Sequence, residues 1–193
     1  MTTSPVDPNR ILLTGENSFI RLAESEGGPH LTRVSHWRIL LSPQGPGHVL
    51  FFKSDVVGDE ILIYSDNIAL TRWLQGEIES FLFPEFADQD IPVINAEFSK
   101  VGDGKSFWTE KITSEEDSIS LAWYDFLEPF MLRVEAGSNP TRPHGVYSCF
   151  IPAQQAQITF NGLVAEGKVF LEPRGDKQSS AACLAWSETW VRP

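Results

Sequence analysis

The chain has 193 residues, 41% of them hydrophobic and 21% charged, which is enough for one good hydrophobic core and too apolar for a disordered chain. Its 26 acidic and 15 basic side chains leave a net charge of −11. That field repels DNA and anionic lipid, and no run of Lys and Arg along the sequence reverses it, so no nucleic-acid partner and no membrane partner is expected.

The reading is that of a soluble, acidic, bacterial-type protein. No run approaches the ~20 apolar residues that span a bilayer. The first ten residues lack a basic segment followed by an apolar one, so no signal peptide is visible and a cytoplasmic location is expected. Cys149 and Cys183 stand in apolar, strand-like settings and fit neither a metal spacing nor a redox pair. Buried free thiols are expected, with a disulfide open to them only if their strands are neighbours.

In chain order, residues 1–9 are polar, hold two prolines and are expected to be a flexible N-terminus, with residues 10–193 forming a single β-barrel-like domain. Ile11–Thr14 and Ser18–Glu24 read as two short strands joined by Gly15-Glu16-Asn17. His30–Leu41 is a long extended segment, and His48–Lys53 follows it across a Pro/Gly loop as a hairpin partner. Glu60–Tyr64 is a further strand that runs straight into a helix. Over Ser65–Phe83, Leu70, Trp73, Leu74, Ile78, Phe81 and Leu82 recur at spacings of three and four, the period of one buried helical face. Ser65 or Asp66 can cap its start, and Pro84 stops it.

Beyond the helix the chain returns to strands: Ile91–Val101, Phe107–Thr113, Ser118–Phe126, Phe130–Glu135, Val146–Ile151, Lys168–Glu172 and Ser180–Val191. Gln157–Phe160 and Leu163–Glu166 flank Asn161-Gly162, two residues that accept positive φ, as a type I′ hairpin turn requires. So many short strands, with one helix and no strand–helix alternation, exclude a doubly wound parallel sheet. The expected fold is mainly β: an antiparallel meander closing into a barrel, or alternatively a two-sheet β-sandwich, with one amphipathic helix at about 66–83 at the barrel mouth or on its outside. In architecture, though in no signature motif, this resembles the lipocalin-type barrels.

Several chemistries leave no trace. There is no phosphate-cradling Gly-rich loop, no G-x-S-x-G elbow, no zinc-type Cys pair and no metalloprotease His pair, so neither cofactor nor metal is expected. His36 and Arg38 share one strand face with Thr32 and Val34. If that face lines the barrel, a titratable ring and a two-pronged cation converge there and could bind and protonate a small carboxylic acid. Asp125, on the Trp123 face of its strand, would become a general acid or base if buried among rings, with Tyr124 beside it. Trp37, Trp123, Arg133 and Tyr147 complete the expected binding set.

The expectation is therefore a small hydrophobic or carboxylated metabolite bound in a barrel cavity and subjected to cofactor-free acid–base chemistry of the isomerase, hydratase or lyase type. A non-catalytic small-molecule binding protein of the same fold is the alternative, and a structural or protein-interaction domain with a filled core is the next. Any of these is compatible with a homodimer.

Overall fold

A computed structural model describes residues 8–58 and 60–193. Most of the expected flexible segment, residues 1–7, lies outside the described residues. The first four strands are β1 (Ile11–Ala23), β2 (His30–Leu41), β3 (Gly47–Ser54) and β4 (Ile61–Ser65). A helix follows, α-helical over Ile68–Leu74, π-helical over Gln75–Glu79 and α-helical again over Ser80–Leu82. Then come β5 (Val93–Asn95), β6 (Glu97–Gly102), β7 (Phe107–Thr113), β8 (Ser118–Phe126), β9 (Phe130–Val134), β10 (Gly145–Phe160), β11 (Leu163–Val164), β12 (Leu171–Arg174), β13 (Lys177–Ser180) and β14 (Ala182–Val191).

The large sheet runs β5-β4-β3-β2-β1-β14-β10-β8-β7-β6, with β9 and β11 added to β10. It curls into a barrel that is closed except at one seam, between its end strands β5 and β6. This is the lipocalin-like architecture rather than the sandwich. No helix among the described residues is long and apolar enough to cross a membrane.

Two large apolar cores and a small third one, around Phe150, Cys183 and Ala185, divide the side chains of the wall among the described residues. The inner core draws residues from all round the barrel, among them Ile20, Val34, Leu50, Phe52, Tyr64, Trp108, Leu121, Trp123, Ile151 and Leu184. The outer core lies under the helix: Trp37, Ile39, Val49, Phe51, Ile63 and Trp190 pack against Leu70, Leu74 and Ile78. Alternation along β2 to β4 produces this split, since even-numbered positions such as Val34, Leu50 and Tyr64 face in while Trp37, Phe51 and Ile63 face out. The helix thus sits on the outside of the barrel. Its start is capped by the Asn67 side chain, which accepts from the Leu70 N–H, rather than by Ser65 or Asp66.

Strand boundaries differ from the sequence reading at several places: Lys168–Glu172 is replaced by Leu171–Arg174, Ser180–Val191 is divided between β13 and β14, and three further differences have a local reason. Gly15-Glu16-Asn17 is not a turn: β1 runs through it, and its register with β2 shifts at Gly15, where a Cβ would collide with the Arg38 carbonyl. Val146–Ile151 and Gln157–Phe160 are one strand, β10, because Pro152 needs no donor there and accepts from the Leu127 N–H. Ile91–Val101 is split at Ala96 into β5 and β6, which belong to opposite edges of the seam.

Candidate functional site

His36 and Arg38 point into the barrel, where Arg38 is the centre of a buried ion network. Its guanidinium donates to Glu16 at 2.7 Å and to both Glu110 oxygens at 2.7 and 2.8 Å, while its Nε donates to His48 Nε2 at 3.3 Å. Trp108 Nε1 adds a bond to Glu110 at 2.8 Å, and His48 Nδ1 lies 2.7 Å from Asp66. Burial pushes the Glu110 carboxyl up, against the lowering pull of Arg38. His36 is buried beside Phe98, its Nε2 has no partner, and burial followed by the charge of Arg38 lowers its pKa well below the usual 6.5. His36 is therefore a neutral ring at neutral pH. Because the network already engages the Arg38 donors, a ligand there would have to displace Glu16 or Glu110 to reach them.

The other expected residues do not join this cluster. Asp125 has a positive φ of 55°, at an unshifted register with β10, and its side chain lies exposed, bonded to Gln155, rather than among the interior rings with Trp123. Tyr124, next to Trp123 on the strand, is half-buried on the opposite face. Trp123 is buried in the inner core and spends its indole N–H on the Phe19 carbonyl at 3.1 Å. Trp37 faces outward under the helix and donates to Glu79 at 2.6 Å. Arg133 is exposed, and both it and Tyr147 bond to Glu135, at 2.5 and 2.9 Å. Cys149 and Cys183 are free thiols.

A second constellation lies on the outer wall, beyond the last turn of the helix. There a groove of about 270 Å³ opens between Phe81–Phe83 and the outward faces of β1, β9, β10 and β14. Phe19, Leu132, Phe150 and Trp190 give it apolar walls. Glu188 lies in its floor, 3% exposed, accepting from Trp190 Nε1 at 2.6 Å. Burial raises the Glu188 carboxyl to about 7, opposed by its bonds to Trp190 and Ser148. His144 stacks on Phe81 with ring centroids 5.8 Å apart; its Nε2 meets Glu77 at 3.1 Å, and its Nδ1 is buried without a partner.

Three arginines converge on the same groove from distant parts of the chain. Arg21, on β1, bonds Glu172 at 2.8 Å and leaves its buried Nε unpaired. Arg142 comes from the loop before β10 and reaches the Phe81 carbonyl at 3.3 Å. Arg174, at the end of β12, lies over the Phe150 ring at 5.1 Å. Its pKa is lowered, first by partial burial and then by the charges of Arg21 and Arg142, while Cys183 and Glu172 act in the opposite direction. This corrects the sequence-level picture of a chain without a basic cluster: strands and a loop far apart in the chain assemble one that no sequence window contains.

Sequence reasoning missed this groove because its floor depends on an irregularity. Read with strict alternation, Trp186, Glu188 and Trp190 share a face. Ser187, with φ of 52°, inserts a bulge, so Trp186 packs on the inner core while Glu188 and Trp190 face out. The alternating Trp-Ser-Glu-Thr-Trp carried no signal for that break.

No family model, curated protein or solved structure matches the chain. Among the described residues no group of three or more His, Cys, Asp or Glu is gathered where it could hold a metal ion.

Proposed function

We propose that the protein binds a small, largely apolar organic molecule in the groove between the helix end and the outer wall of the barrel. The observation that carries this reading is the meeting, in one concave space, of ring-lined walls with the polar side chains of Arg21, Arg142, His144 and Arg174. Polar groups at the edge of an apolar space offer a ligand hydrogen bonds, while the apolar walls favour its hydrocarbon part. A volume of about 270 Å³ corresponds to roughly nine waters, or a compact molecule of about ten non-hydrogen atoms. The barrel interior supports this less well, since the Arg38 donors there are taken.

One observation favours turnover over simple binding. Glu188, raised to about 7 in the groove floor, is poised to give or take a proton at neutral pH, as cofactor-free isomerase or lyase chemistry needs. Thermal shift with a panel of medium-chain and aromatic acids, alcohols and amides tests the binding reading. A saturable rise in melting temperature is expected for at least one, abolished by Leu132→Glu, which places a charge in the apolar wall. No shift across the panel, or full binding by that variant, would count against the groove. Incubating the ligands found with protein and following them by NMR distinguishes an enzyme, which changes them, from a carrier, which does not.

A further inference from the structure

We propose that the molecule held in the groove carries a carboxylate, received by Arg142 and Arg174 with Arg21 beside them, while its hydrocarbon part lies against Phe81, Phe150 and Trp190. The proposal rests on the groove being the binding site. A chain with a net charge of −11 has carboxylates to spare, and four of its arginines pair with them: Arg33 with Glu85, Arg38 with Glu16 and Glu110, Arg133 with Glu135, and Arg21 with Glu172; Arg10 and Arg72 meet carbonyl oxygens instead. The groove brings two arginines without a carboxylate partner together beside one apolar space. Among the described residues, the guanidinium of Arg142 meets a main-chain carbonyl and that of Arg174 the face of Phe150.

Holding like charges together near an apolar wall is unfavourable unless an anion joins them, and the surplus here is positive. A guanidinium offers two parallel N–H donors in a plane, the shape of a carboxylate, and such charge-assisted pairs are about twice as strong as neutral hydrogen bonds. The rings next to these arginines suit a hydrocarbon tail or aryl group, so the ligand class is a small apolar carboxylic acid. Glu172, bonded to Arg21 of the groove, and Glu188 in the floor add negative charge, which favours a head with one charge over a doubly charged phosphate.

The test uses the full chain and three probes with the same tail: octanoate, octanol and octyl phosphate, titrated by calorimetry above pH 7. Octanoate is expected to bind about tenfold or more tightly than octanol, the factor that one charge-assisted pair supplies. In Arg142→Ala/Arg174→Ala, both at exposed positions, that ratio should fall to about twofold or less while octanol affinity holds. Equal binding of acid and alcohol by the unaltered protein, or an unchanged ratio in the variant, overturns the carboxylate proposal and leaves the groove reading standing. Tighter binding of octyl phosphate replaces the carboxylate with a phosphate head. Failure of all three probes to bind removes the groove reading itself.

Discussion

Glu79 and Glu188 are two buried carboxyls that no cation pairs with among the described residues. Glu79 is held under the helix by Ser35 Oγ and Trp37 Nε1 at 2.7 and 2.6 Å, its second oxygen is buried without a partner, and burial raises its pKa from 4.5 to about 7, as it does for Glu188. A folded-state value above the unfolded one means that the folded protein holds these protons more tightly. Their contribution to stability is therefore full below about 4.5 and is lost as pH rises through about 7, where both must ionise in apolar surroundings. The expected loss is roughly 3 kcal/mol per residue across that window, read from urea unfolding at a series of pH values. Glu79→Gln and Glu188→Gln should each flatten the profile, and a flat profile in the unaltered protein would contradict the assignment. Arg38 and Glu110 make the complementary case of a buried pair. Glu110→Ala should cost up to about 3–5 kcal/mol by leaving the guanidinium with Glu16, a partner nearer solvent, as its one carboxylate among the described residues, whereas Arg38→Met with Glu110→Leu should be close to neutral. If the double replacement is as damaging as the single one, the network does more than balance charge.

Among the elements, the helix and the Asn161-Gly162 hairpin were legible because each rests on short-range chemistry. Apolar spacing and Pro84 place the helix, and Asn161 and Gly162 do adopt φ of 50° and 84°. Asn161→Val should destabilise by about 1–2 kcal/mol through its forced positive φ, and an unchanged melting temperature would count against that. That His36 and Arg38 share one face was legible too, since alternation along β2 is unbroken around them, but alternation alone does not say which face turns inward. The hidden features depend on breaks in alternation at Gly15 and Ser187, on the positive φ of Asp125, and on the π-turn over Gln75–Glu79. A π-turn adds a residue to the turn and re-aims the side chains beyond it. It ends at Glu79, buried under the helix, just ahead of the exit where Phe81 and Phe83 wall the groove. Gly76 lies within that turn, solvent-exposed, at ordinary negative φ and with open space where a Cβ would go. Gly76→Ala should therefore stabilise by about 0.4–1 kcal/mol in chemical denaturation, and a loss would mean that the π-turn needs glycine's freedom.

At the scale of the whole molecule, the barrel is held at its seam by side chains rather than by a ladder of backbone bonds. β5 and β6 follow one another in sequence yet stand at the two ends of the strand order. Across the gap Phe98 stacks on His48 with centroids 5.0 Å apart and approaches His36 at 5.9 Å, and Tyr64 donates to Asp117 at 2.7 Å. Phe98 is thus the stopper that keeps His36 away from water, and burial is the first cause of that histidine's lowered pKa. Replacing the ring should act on His36 without touching it. In Phe98→Ala, water entering at the seam would relieve the burial, and the His36 imidazole, followed by NMR, should titrate closer to its ordinary 6.5 than in the unaltered protein. The charge of Arg38 persists in the variant, so the return should be partial. Adding Arg38→Met would remove that second cause and carry the value further up. If His36 titrates alike with and without the ring, the barrel is sealed at this edge by something other than Phe98.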